Sequence, residues 1–309
     1  MRVAAIDLGT NTCNLLIAEI DSFGYKILHQ SKQLVKLGDD KIRENEISEA
    51  ATSRVLQSFQ VHKKIISEYH ADKVRVVATS AVRTAENKIA FLEQISEKSG
   101  WIVKLISGEK EAEMIFDGVL LAFNEFTNPA VILDIGGGSN ELIVALNRQM
   151  FWKESQPTGM ARIINKFKLS DPIQPDEINA LKKHFAGAHK NAFEKCKAEN
   201  VKTLVGCSGA FDTIADMIDG VNPGEKMRTT QEIKPADFFA VYNTLIKSTR
   251  EQRLLMKGMD YVRVDLIVPA VILIELLISE TGITQIIQTD FALREGVLFE
   301  LMNPGTRTR

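Results

Sequence analysis

Two stretches of this chain lie over one another without a gap. Asp7-Leu8-Gly9-Thr10-Asn11-Thr12-Cys13-Asn14-Leu15-Leu16-Ile17-Ala18 matches Asp134-Ile135-Gly136-Gly137-Gly138-Ser139-Asn140-Glu141-Leu142-Ile143-Val144-Ala145, with Asp, Gly, Leu and Ala coinciding. An apolar, β-branched run precedes each, Val3 to Ile6 and Val131 to Leu133. Each stretch therefore reads as a strand, a Gly-containing turn and a return strand. The repeat constrains the fold to two similar domains, each opening on such a hairpin. The length of 309 residues agrees, at roughly 150 residues per domain.

The turns carry a chemical implication. Glycine permits positive φ and close backbone approach, so successive N–H groups can converge on an anion. Thr10, Thr12, Ser139 and Asn140 add side-chain donors. An Asp at a strand end beside a phosphate loop can hold a divalent cation, through water when the cation is magnesium. Neither turn has a Gly-Lys-Ser/Thr sequence or a helix directly after it, so neither is a Walker A loop. A plain β-turn would explain one such hairpin. Two, with Asp at the same place, favour phosphate chemistry.

Strands alternate with helices elsewhere, which makes the class α/β. A third strand is predicted over Tyr25–Gln33 and a long helix over Ser48–Tyr69, capped by Ser48. A buried strand follows at Val74–Ala78, then a helix running from Thr79 toward Phe91 and Ile95. A strand at Val103–Ile106 leads through Gly108 and Glu109 into a helix from Lys110 to Ala122. Phe126-Thr127-Asn128-Pro129 reads as a breaker and the domain boundary. Helices are predicted over Met160–Phe167 and Pro175–Lys197, a strand at Thr203–Val205, a turn at Gly206-Cys207-Ser208-Gly209 and a helix over Ala210–Ile218. Val221–Glu232 reads as polar loop, and Thr284–Gln288 as the last strand. Leu266–Ile278 contains Pro269 and Glu275 and is too short for a membrane span, so it reads as a buried helix.

A net charge of −2 argues against a nucleic-acid coat. Cys13, Cys196 and Cys207 are distant and odd in number, so no disulfide framework is expected, and a reducing cytoplasm fits. No leader or membrane anchor is expected. His29, His62, His70, His184 and His189 form no ligand spacing.

These residues resemble the exopolyphosphatase / guanosine pentaphosphate phosphohydrolase family of the actin, Hsp70 and sugar-kinase superfamily. Its two phosphate loops resemble Asp7–Thr12 and Asp134–Leu142. Ala78-Thr79-Ser80-Ala81-Val82-Arg83-Thr84-Ala85-Glu86-Asn87 is similar to the family's A-T-S-A-x-R-x-A-x-N, and Ile106-Ser107-Gly108-Glu109-Lys110-Glu111-Ala112 to I-S-G-x-E-E-A. Gly206–Gly209 resembles its second-domain turn, and Leu293-Arg294-Glu295-Gly296-Val297-Leu298 its L-R-E-G close. The likeness runs in order from residue 3 to 299. The chain departs from the family at Lys110, where Glu is usual, at Glu113, where Arg is usual, and conservatively at Thr10 and Thr12. The family's R-A-D segment stands here as Arg263-Val264-Asp265.

The resemblance implies two actin-like (ribonuclease H-like) domains with mixed central sheets and an interdomain cleft. Domain I would cover 1–125 and domain II 126–309, with the helix after about 295 packing on domain I. It implies a cytoplasmic hydrolase that releases terminal orthophosphate from inorganic polyphosphate with Mg²⁺. Guanosine pentaphosphate is the alternative substrate. A kinase of the same superfamily and a non-catalytic sensor of phosphate compounds are the rival classes; Glu113 and Lys110 motivate the sensor. Glu111 would activate water, with Arg83 contacting phosphate or steadying Glu111. Gly9, Thr10, Asn11, Thr12, Gly136, Gly137, Gly138, Ser139, Asn140, Ser208 and Gly209 would bind phosphate, and Asp7, Asp134 and Glu141 the metal. Arg263 and Arg294 are expected as structural pairs with Asp265 and Glu295. Neither nucleic acid nor membrane is an expected partner. Family members are commonly dimers, so a homodimer is an expectation that no interface signature supports. The chain ends soon after Leu298, which implies the short family form and a preference for shorter chains.

Overall fold

A computed structural model describes residues 1–38 and 45–304. The chain divides into two compact units, Met1–Leu121 with Leu293–Arg309, and Ala122–Ala292.

The first unit opens with an antiparallel meander: β1 (Arg2–Leu8), β2 (Thr12–Asp21) and β3 (Gly24–Leu34). Helix α1 (Glu49–Glu68) follows, with Ser48 Oγ accepting the Ala51 N–H at 3.1 Å. Such a cap satisfies an N–H that has no partner inside the helix. Ala51, Val55, Phe59 and Ile66 form its buried face. Then come β4 (Lys73–Ala78), α2 (Ser80–Thr84), α3 (Lys88–Ser99), β5 (Val103–Leu105) and α4 (Gly108–Ala122). The sheet order is β3-β2-β1-β4-β5. β4 runs parallel to both β1 and β5. The single helix expected from Thr79 to Ile95 is two. Asn87 breaks it by accepting the Ile47 N–H at 3.0 Å and donating to the Ile47 carbonyl at 2.8 Å.

The second unit repeats the plan. β6 (Phe126–Ile135), β7 (Asn140–Asn147) and β8 (Gln149–Gln156) form the meander. Helices α5 (Met160–Phe167), α6 (Pro175–Ala188) and α7 (Lys190–Ala198) lead to β9 (Thr203–Cys207). After it come α8 (Gly209–Asp219), β10 (Gln231–Ile233), α9 (Pro235–Lys247), α10 (Arg250–Leu254), α11 (Ile267–Thr281) and β11 (Gln285–Thr289). The order is β10-β11-β9-β6-β7-β8. With β10 set aside as an added antiparallel edge, the order and strand directions match those of the first sheet. The apolar run that begins at Leu266 is the buried helix α11, with Pro269 in its first turn. Among the described residues no helix is long and apolar enough to cross a membrane.

Three further expectations change. Phe126–Pro129 is not a breaker; it begins β6, where a register irregularity between Phe126 and Ala130 accommodates Pro129. The unit boundary falls at 121/122 instead of 125/126. Pro175–Lys197 is two helices meeting at His189. The last helix, α12 (Leu293–Met302), packs on β1 and β2 of the first unit. Gly296 lies so close to α4 that a Cβ there would overlap the Met114 carbonyl.

Candidate functional site

The two loops share one backbone hydrogen bond. Gly9 N–H donates to the Thr12 carbonyl at 3.0 Å, and Gly136 N–H to the Ser139 carbonyl at 3.0 Å. Neither glycine adopts positive φ; space is what requires them. A Cβ on Gly9 would stand 3.2 Å from Thr12 O, and one on Gly136 2.7 Å from Ser139 O.

The chain just after each meander engages the loop carbonyls. Val35 and Lys36 donate to Asn11 O, and Leu37 to Thr10 O. Met160 donates to Gly136 O and Ala161 to Gly137 O, while Arg162 Nε donates to Gly138 O at 3.0 Å. Among the described residues, the N–H groups of Thr10, Asn11, Gly137 and Gly138 donate to no protein acceptor outside the strand ladders. Each loop thus presents main-chain donors suited to an anion. Thr10, Thr12 and Ser139 are buried in it.

The loops differ in their carboxylates. Asp7 pairs across the strands with Asn14, whose Nδ2 donates to Asp7 Oδ2 at 2.9 Å. Burial raises the Asp7 carboxyl to about 6, against the lowering effects of Asn14 and Arg294. Asp134 pairs with Glu141, and both are buried. Glu141 Oε1 accepts from Ser155 Oγ at 2.6 Å. Two carboxylates at directly opposed positions repel one another unless something positive joins them. Among the described residues, no group of three or more His, Cys, Asp or Glu side chains could hold a metal. Mg²⁺ binds through one or two carboxylates, retained water and substrate phosphates, so the Asp134–Glu141 pair fits it.

Glu111 lies in the first turn of α4 with 7% of its surface exposed. Arg83 on α2 brings Nη1 to 2.8 Å from Glu111 Oε2 and to 3.1 Å from the Ile106 carbonyl. The two residues expected to act together are therefore an ion pair. The departures at Lys110 and Glu113 are local partners, with Nζ and Oε2 3.8 Å apart, and Lys110 also holds Glu300 of α12 at 2.6 Å. A lysine thus accompanies the reversed charge at 113. Cys13 is buried and its thiol is pushed up by burial to about 12, which removes it as a nucleophile.

Ser208 adopts φ 72° and ψ 172°, a positive-φ conformation that few residues with a Cβ take. Its Oγ donates to the Ile135 carbonyl at 3.1 Å. A Cβ on Gly209 would overlap the Arg263 guanidinium. Arg263 does not make the expected pair with Asp265, because Asp265 binds Arg250 Nε at 2.7 Å. Its own Nε is buried without a partner. Arg294 does reach Glu295, at 3.5 Å. Asn140 is completely buried and its Nδ2 donates to the carbonyl and hydroxyl oxygens of Thr158, so its amide hydrogens are committed within the fold. His189, given no role by its spacing, contacts Thr158 and Glu154. No local sequence signal marks it, since its partners lie 31 and 35 residues away.

Two mixed sheets of matching order, each with an Asp-Gly loop between its first two strands, define a two-domain actin-like α/β protein. The chain belongs to the Ppx/GppA phosphatase family, whose model matches residues 16–304. It is similar to an exopolyphosphatase of Cytophaga hutchinsonii in the crystal, with a TM-score of 0.93, 32% identity and 98% of each chain covered. It is 26% identical to exopolyphosphatase 2 of Mycobacterium tuberculosis, over 97% of this chain and 98% of that one. It is 30% identical to a bifunctional 3-dehydroquinate synthase/phosphatase of Fusobacterium nucleatum over 90% of this chain, which spans 43% of that protein.

Proposed function

We propose that this chain is an exopolyphosphatase, a phosphoanhydride hydrolase that removes terminal orthophosphate from inorganic polyphosphate. The observation that carries the reading is the repeated loop, with the same Gly-to-Thr/Ser hydrogen bond and the same N–H groups left for an anion. The exopolyphosphatase relatives support the substrate class.

Phosphoryl transfer requires positioning, charge neutralisation and an oriented water. The loop N–H groups, with Thr10, Thr12 and Ser139, bind phosphate oxygens. Glu111 accepts a proton from the attacking water, and Arg83 fixes its carboxylate. Asp134 and Glu141 would hold Mg²⁺, which supplies charge neutralisation at the phosphates when bound. Asp7 lies beside the first loop, bound to Asn14.

The test is phosphate release from polyphosphate with Mg²⁺, comparing wild type with Glu111→Gln. The expected result is wild-type release with kcat about 10²–10⁴-fold lower in the variant. Equal rates would overturn the role of Glu111. Release only from guanosine pentaphosphate would replace the substrate, and binding without release from either would support a sensor.

A further inference from the structure

A hydrogen-bonded chain of buried side chains runs behind the second loop. His189 Nδ1 lies 2.7 Å from Glu154 Oε1, and His189 Nε2 lies 3.0 Å from Thr158 Oγ1. Asn140 Nδ2 donates to Thr158 Oγ1 at 3.0 Å and to Thr158 O at 2.8 Å. His189 and Asn140 have no exposed surface, and Thr158 is 5% exposed. Asn140 follows Ser139 of the loop. Thr158 precedes Gly159, which abuts Gly137 and Gly138, and Met160 and Ala161, which hold the loop carbonyls. The chain thus ties both ends of the loop's support together.

It also lies away from the carboxylate pair. Side chains alternate along a strand, so Asn140 and Glu141 face opposite sides of β7. Their partners on β8 agree: Gln156 stands opposite Asn140, and Ser155 opposite Glu141.

We propose that Glu154, His189 and Thr158 are positioning residues for phosphate binding by the second loop, a role that rests on the phosphate-binding reading above. Asn140 can only donate through Nδ2, so Thr158 Oγ1 accepts there. In the proposed relay the threonine proton goes to His189 Nε2, and Nδ1–H donates to Glu154. The carboxylate selects this tautomer, much as outer carboxylates orient metal-bound histidines. With the polarity of each bond set, Thr158 has one orientation and the backbone from Gly159 to Ala161 has one register against Gly136–Gly138. A loop binding a phosphate through main-chain N–H groups depends on that register.

Thr158→Val keeps the side-chain shape and removes the hydroxyl; Thr158→Ser restores it. Thr158→Val should raise KM for polyphosphate about 5–20-fold, the scale of one or two hydrogen bonds, with kcat changed less than about threefold. Thr158→Ser should match wild type. Amide hydrogen exchange at Met160 and Ala161, measured without substrate, should quicken in Thr158→Val and not in Thr158→Ser. The ¹⁵N shifts of His189 should show a protonated Nδ1 and a bare Nε2. Unchanged exchange, or an Nε2–H tautomer, would overturn the relay. If exchange quickens while KM stays constant, the role in phosphate binding is overturned. A wild type inactive on both polyphosphate and guanosine pentaphosphate would overturn the functional reading instead, and exchange with the tautomer would decide the relay on its own.

Discussion

Asp7 faces Asn14 across its hairpin, whereas Asp134 faces Glu141 across its own. The backbones of the two loops are alike, down to the hydrogen bond that closes each turn. The supports differ: the first loop rests on Val35–Leu37 at the end of a strand, the second on the start of α5. One hairpin thus has this turn geometry with a single carboxylate and an amide. The other adds a second buried carboxylate. The comparison separates two jobs proposed for these hairpins, holding a phosphate and holding a cation.

The largest expected effect comes from removing that difference. Glu141→Asn gives the second loop the first loop's side chain. Mg²⁺-dependent phosphate release should fall about 100-fold or more, since disturbing even the outer partners of metal ligands costs about 10–100-fold. Mg²⁺ titration by calorimetry should lose its binding event. Unchanged Mg²⁺ affinity would place the cation elsewhere.

Next is the support. Gly159→Ala drives a Cβ into the backbone of Gly137 and Gly138 and should destabilise the protein by about 3 kcal/mol. Gly9→Ala meets only Thr12 O at 3.2 Å and should cost about 1 kcal/mol. Urea denaturation of the two variants measures the contrast, and equal losses would show that the close approach of Gly159 to the second loop carries no extra cost.

The smallest expected effect concerns Asp7. Its folded carboxyl is pushed up by burial to about 6, above the ordinary aspartate value of about 4. Ionising it in the folded state therefore costs stability, and the cost grows as pH rises from about 4 through 6 and is constant above. In chelator, Asp7→Asn should be more stable than wild type by up to about 2–3 kcal/mol at pH 8, and by little at pH 4. Thermal melts across pH check this, and a pH-independent difference would contradict it.

The hairpins were legible because each is a buried strand pair whose apolar runs meet at a Gly turn. β8 was not. Gln149–Gln156 lies at the sheet edge and its polar residues show no clean alternation. Pro129 signals a break, yet it sits at a register irregularity, where a missing N–H is tolerated. The break after Thr84 follows from Asn87 binding Ile47, a contact 40 residues away. Glu111 and Arg83 were named through family resemblance; their 2.8 Å contact joins residues 28 apart, beyond the reach of local pattern. The Glu154–His189–Thr158 chain had no motif at all, because only tertiary packing assembles it.

The position of α12 has a consequence for synthesis. It covers β1 and β2, yet it is translated after every segment of the second unit. The continuous second unit, 122–292, holds every segment of its own sheet before Leu293 emerges. The first unit must wait with one face of its founding strands uncovered until the second has been made. A ribosome stalled before Leu293 would therefore carry a second unit able to fold and a first unit unable to finish.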